Sequence, residues 1–380
     1  MGTSFSTIFC EYVDCNTNYW KIELWALLLT IIVYVIFAIK YSNLSSRECA
    51  NMNNVYSSLN GNIKSINSND VDCSGNLCQY YIMTAYNACS GGQYENDVVD
   101  ICNLKAVLKN GVRCLDFEIY SIDNQPVVAT STLKSYYNKE TFNYIDFSQV
   151  MNIIQSYAFA SGTAPNYTDP IFLHLRIKSD NQLMYTNFAS IFKSYDSLML
   201  GKEYSYGYGN DSSNGNQNNF GQVKLLSLQN KIILIVDSSN PSYKSNEEFF
   251  EYVNMECGGA FLHMYTNSNI INDDTSVLAM QNVSNMTIVT PDNGANPANP
   301  AGIICRDYGC QFVAMRFNYL DSNLAENNAF FNDNNYAFVL KPTNLRDTPE
   351  GNTVPAPTPQ NPAYSYETRN VTTDYYSFNF

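Results

Sequence analysis

Cys114-Leu115-Asp116-Phe117-Glu118-Ile119-Tyr120 alternates apolar and acidic side chains with the period of a strand. Asp116 and Glu118 therefore share one face, while Leu115, Phe117 and Ile119 share the other. Two carboxylates side by side on a buried strand cannot both stay ionised unaided, so a metal ion, a cationic side chain or a proton must sit between them. Whatever that partner is decides the chemistry the strand can support.

Working outward from it, the chain has 380 residues, room for one large domain with appendages or for two ordinary ones. Hydrophobic residues make up 45% and aromatics 14%, with 30 Tyr and 21 Phe, enough for a sizeable core. The net charge of -14 argues against nucleic acid as a partner, since a phosphate-binding surface needs an excess of Lys and Arg. Cys10 with Cys15, Cys73 with Cys78 and Cys305 with Cys310 share one short spacing that suits small disulfide loops; buried free thiols are the other reading. None of them shows the Cys and His pattern of a zinc site. Asn-x-Ser/Thr sequons begin at Asn43, Asn166, Asn210, Asn282, Asn285 and Asn370, a density expected of so Asn-rich a chain.

At the N-terminus, Met1 to Ser6 fit the myristoylation pattern with Gly2 as the acceptor. Residues 24–39 form a charge-free apolar run between Lys21 and Lys40, about 24 Å of helix against a hydrocarbon core of ~30 Å that the two lysines can reach past. We expect an N-terminal segment over 1–19, one transmembrane helix over 20–40 and an Asn/Ser-rich stalk over 41–77. The orientation stays open. Lys40 and Arg47 outweigh Lys21 and favour a cytoplasmic barrel, whereas a myristoylated N-terminus favours the opposite side.

From 78 to 348 strands alternate with helices, the sequence form of parallel β/α units. Strands are expected at 80–84, 114–120, 171–177, 231–236, 259–263, 287–290, 311–315 and 336–340, with helices at 97–110, 147–160, 182–195 and 247–254. That count suits one (β/α)8 barrel. A polar surface loop is expected at 204–219. Beyond 348 the Pro-rich tail ends in Tyr375, Tyr376, Phe378 and Phe380, which could dock on a partner.

The residues from Ala106 to Tyr120 (AVLKNGVRCLDFEIY) resemble the second-strand region of phosphatidylinositol-specific phospholipase C. Tyr308 to Phe317 (YGCQFVAMRF), Asn334 to Pro342 (NNYAFVLKP) and Asn344 to Arg346 resemble the closing half of the eukaryotic-type catalytic barrel of that family. The resemblance implies a TIM-barrel phosphodiesterase in which two histidines act as base and acid and calcium is held by Asn, Glu and Asp side chains. It also implies where this chain departs from the pattern. Tyr86 stands in the first histidine's place beside a retained Asn87, and Ala129-Thr130-Ser131 replaces the second histidine motif. Asp116 and Glu118 have their lengths exchanged, and Arg176 replaces an acidic ligand on the third strand. Ile235-Val236-Asp237 replaces a Lys-Gly-Lys that would bind phosphate, and Thr287 replaces a late arginine.

The two histidines of the chain, His174 and His263, fall on neither motif position; His174 shares a face with Arg176 and reads as part of a polar network or as a structural histidine. Each general acid or base contributes ~10²- to 10⁴-fold in rate, so the combined losses leave no expected catalytic residues, metal or cofactor. Arg176 is expected to pair with the carboxylates in calcium's stead. The resulting expectation is a membrane-anchored, inactive relative acting as a structural or binding module. Its partners would be a lipid membrane and other proteins, a virion membrane and capsid among the settings. An active phosphodiesterase using Asp116, Glu118 and Asn87 on calcium or another metal is the alternative, with a phosphoinositide- or glycan-binding module as a third reading.

Overall fold

Runs such as Ile171-Phe172-Leu173 and Ile232-Ile233-Leu234 leave no polar face, which is how a strand covered on both sides reads. In the computed structural model, which describes residues 19–133, 135, 137–207, 219–272, 275–347, 370–372 and 374–379, these runs are central strands buried along their whole length. Eight parallel strands make the barrel: β1 (Tyr80–Ala85), β2 (Cys114–Ile122), β3 (Ile171–Ile177), β4 (Ile232–Asp237), β5 (Met255–Cys257), β6 (Leu262–Thr266), β7 (Met286–Thr290) and β8 (Phe312–Met315). Their order around it is β5-β4-β3-β2-β1-β8-β7-β6. The ladder is open only between β5 and β6. Parallel neighbours need a crossover of about a dozen residues, and residues 258–261 are too few to provide one.

One of the expected strands needs correction. The segment expected as the eighth barrel strand forms a short strand, Phe338–Leu340, that pairs antiparallel with β1 outside the parallel ring. Its Phe338 ring lies 6.2 Å from Phe172. The place in the ring is taken by β5, which follows the helical turn at Glu247–Phe250 so closely that its three residues carry no period of their own. A hairpin strand at Gln125–Ala129, antiparallel to β2, was not anticipated either.

The helices begin with α1 (Tyr19–Ser42), α2 (Leu44–Val55) and α3 (Ile101–Lys109), followed by α4 (Phe147–Ile153) and α5 (Gln182–Lys193). Asp100 caps α3 by accepting from Cys102 N–H. Gly111, at φ +93, then turns the chain into β2; a Cβ there would meet the Ile63 side chain at 2.9 Å. Further helices at Asn267–Asn272, Thr275–Ser284, Gly302–Asp307 and Ser322–Asn334 escaped the sequence reading. In the last of these only Leu324, Asn327 and Phe331 are buried, too sparse a stripe to stand out among the asparagines.

The segment expected as a stalk is built into the domain. Leu44, Met52, Tyr56, Ile63 and Ile66 are all buried, and a disulfide joins Cys49 of α2 to Cys102 of α3. Of the short-spaced cysteines, Cys73, Cys78, Cys305 and Cys310 follow the other reading and are buried free thiols. Asn166 and Asn282 are fully buried, so their sequons are closed to a glycosyltransferase in the folded chain. Gly2, Cys10, Cys15, most of the 204–219 loop and most of the tail lie outside the described residues. Of the tail, Asn370–Thr372 and Ser377–Asn379 pair as an antiparallel hairpin.

Candidate functional site

Pairing of β2 with β3 puts Asp116 beside His174 and Glu118 beside Arg176. Paired residues on parallel strands point the same way, so all four side chains enter the barrel together. Arg176 donates from Nε to Asp116 Oδ2 at 2.9 Å and from Nη2 to Asp116 Oδ1 at 2.7 Å, a bidentate fork. Its Nη1 donates to Glu118 Oε1, and Nη2 also reaches Asn87 Oδ1 at 2.7 Å. The Nδ1 atom of His174 lies 2.7 Å from Asp116 Oδ2. Each of these side chains is buried.

The surroundings complete the carboxylates' coordination. Asn87 adopts φ +44, a left-handed conformation that asparagine tolerates, and thereby aims its N–H at Asp116 Oδ1, 3.0 Å away. Glu118 Oε2 accepts from the Tyr120 hydroxyl at 2.9 Å and from Ser131 N–H at 2.8 Å. Burial by itself would raise the Asp116 carboxyl, but the Arg176 guanidinium and His174 hold it well below the usual carboxylate range. Burial likewise opposes the charge on Arg176, yet Asp116, Tyr86 and Glu118 keep that charge in place far above neutral pH.

The mouth of the barrel is filled by aromatic rings. The Arg176 guanidinium lies 4.4 Å from the Tyr86 ring centre, Tyr86 meets Tyr94 edge to face at 5.7 Å, and Arg316 lies 4.7 Å from the Tyr94 ring. Burial pushes the Tyr86 hydroxyl well above its ordinary range, so it holds its proton at any physiological pH. Thr130, where the second histidine is missing, donates its hydroxyl to Tyr94 O at 3.0 Å. Among the described residues, Asn87, Asp116, Glu118, Ser131 and Arg176 thus form one bonded cluster, with Tyr86 and Thr130 on its margin.

The comparisons with known proteins agree with this architecture. Residues 73–237 match the model of the phosphatidylinositol-specific phospholipase C X domain. Over those residues the barrel is similar to that X domain. Among solved structures, PLC21 of S. officinalis and PLC21 of L. pealei each superpose with a TM-score of 0.57 at 16% identity. Each match covers 72% of this chain, which spans only 38% of either PLC21 chain. No curated protein matches the sequence.

Against that phospholipase C frame, one expected position moves. Thr287 does not stand at the mouth: it lies near the start of β7, where its N–H donates to Gln311 Oε1 at 2.8 Å and its hydroxyl to Asn282 Oδ1 at 2.7 Å. Barrel sites form at the strands' C-terminal ends, and Thr287 is near the other end. Asp237 closes β4 at the rim and caps Ser239 N–H at 2.9 Å. The sequence reading missed Tyr94, Arg316 and Lys178. Period two on β3 extends from His174 and Arg176 to Lys178, and that signal could have found it; burial and then Arg176 lower its pKa. Tyr94 and Arg316 meet only through the closed barrel, and nothing in their spacing announces it.

Proposed function

We propose that this chain is a membrane-anchored phospholipase C relative without turnover, whose barrel serves as a binding or structural module. One observation carries the reading: the Arg176 guanidinium lies between Asp116, Glu118 and Asn87, the positions to which the family resemblance assigns calcium. A divalent cation would have to displace a bonded guanidinium and then stand beside its charge. Tyr86 at the base position keeps its proton far above neutral pH, and Thr130 at the acid position is bonded inward.

The anchor rests on α1, whose apolar side chains from Leu24 to Ile39 are exposed along the helix, an arrangement water disfavours and a bilayer accepts. Within this reading the Asn and Tyr bias and the aromatic tail fit a tether between a membrane and a protein shell, as in a large DNA virus.

Two measurements on the full chain in detergent test the absence of turnover. Calcium titration followed by thermal unfolding is expected to leave the midpoint unchanged, and radiolabelled phosphatidylinositol in mixed micelles is expected to release no inositol phosphate. A midpoint that climbs with calcium as RT ln(1 + [L]/Kd), together with product release, would sink the proposal in favour of an active phosphodiesterase.

A further inference from the structure

Where α1 meets the barrel, a cavity of about 350 Å³ opens between Phe37, Lys40, Tyr41 and Arg47 on the helical side and Asp97 and Phe142 on the barrel loops. The Phe142 ring stands edge-on to Tyr41 at 5.0 Å and to Phe37 at 6.3 Å. Phe37 lies three residues inside Lys40, about 4.5 Å deeper along the helix. A barrel loop that touches Phe37 therefore lies at headgroup depth when α1 crosses a bilayer. Tyr137 and Tyr144 of the same segment are 49% and 44% exposed, as aromatic rings at a membrane interface are. The elbow is firmly held, because Ser45 donates to Asp100 at 2.5 Å and Cys49 is joined to Cys102.

Lys40 and Arg47 line this cavity together with one carboxylate, Asp97. Arg47 donates from Nε and Nη2 to Glu48 Oε1, and its side chain is 55% exposed. Lys40 ends the apolar run and makes no ion pair among the described residues. Asp97 is the acid in the lining, and its two oxygens are already taken by Gln93 N–H at 2.9 Å and Val98 N–H at 2.8 Å. Lys40 is thus the lining cation left outside any ion pair among the described residues, in a chain of net charge -14. We propose that the cavity holds the phosphate of a membrane phospholipid, with Lys40 and Arg47 as its cationic contacts and the rings of Phe37, Tyr41 and Phe142 around the glycerol end. The proposal rests on reading α1 as a membrane span.

The test uses the full chain in nanodiscs, with p-benzoylphenylalanine replacing Phe142 and fluorescent phosphatidylserine as the probe. Photolysis is expected to label the protein with lipid, and Lys40→Glu with Arg47→Glu is expected to cut that labelling at least threefold while retention after alkaline extraction and the unfolding midpoint stay as they were. Unchanged labelling in a retained double variant overturns the site. If the double variant is not retained, Arg47→Gln decides alone, since it lies outside the span: undiminished labelling overturns the site, and a clear drop supports it. Equal labelling by fluorescent diacylglycerol, or complete loss of labelling in millimolar inorganic phosphate, also overturns it, the latter in favour of free phosphate. Failure of the unsubstituted chain to survive alkaline extraction removes the span itself, which separates that failure from a failure of the site.

Discussion

The side chain of Arg176 joins Asp116, Glu118 and Asn87. It sits between two buried carboxylates, so Arg176→Met would strand both charges, and we expect a loss of about 3–5 kcal/mol in urea unfolding. Arg176→Glu restores the acidic residue that the family resemblance places there. That variant should be destabilised without metal and regain its unfolding midpoint as calcium is added, a response expected to be missing from the unsubstituted chain. Lys341 provides a second residue-level test. Burial brings its ammonium from 10.5 down to about 7, and its Nζ donates to Asn282 O at 2.8 Å. The folded state binds this proton less readily than the unfolded one, so its contribution is fully present above the unfolded pKa and is lost as pH falls toward 7. Between pH 7 and 8.5 the stability of the unsubstituted chain should therefore rise relative to Lys341→Met; parallel curves would contradict the assignment.

Among the elements, α2 shows how a polar, Asn-rich segment can still be structural. Residues 44–56 bury Leu44, Met52 and Tyr56 against the barrel, and Tyr56 donates to Phe317 O at 3.0 Å. The Cys49–Cys102 bond closes a loop with a sequence separation of 53 residues. Replacing both cysteines by serine should cost about 2–4 kcal/mol, through the entropy the cross-link removes from the unfolded chain, and should speed proteolysis within α2 before the barrel is cut. An unchanged unfolding midpoint would mean that packing alone holds the helix. The expected strand at 114–120 matches β2 closely and the expected helix at 97–110 contains α3, which starts four residues later after its Asp100 cap, because period, cap and glycine stop all act within a few residues. The stalk expectation failed for the opposite reason: α2 has too few apolar positions for a visible period, and its stability comes from the surface it covers.

For the whole molecule, the disulfide bears on the orientation that basic flanks and the myristoylation pattern left open. Disulfides persist in oxidising compartments, so with α1 as the proposed membrane span the barrel is placed on the extracytoplasmic side and the N-terminus in the cytoplasm. In intact cells, protease added outside is then expected to reach the barrel, and Cys49 and Cys102 should resist alkylation until reduced. A barrel protected in sealed cells, with both thiols alkylated at once, would reverse that orientation.

The period-two alternation around Asp116 and Glu118, the β/α spacing and the apolar run at 24–39 were legible in the sequence, because each depends on neighbours a few residues apart. So was the pairing of Arg176 with the carboxylates, since adjacent parallel strands bring inward residues into register. Tertiary structure alone decided that Arg176 takes both carboxylates and Asn87 together, that Tyr94 and Arg316 fill the mouth, that Cys49 bonds Cys102, and that β5 completes the ring. Those outcomes join residues far apart in the chain, and what selects them is the closure of the barrel, which no local pattern records.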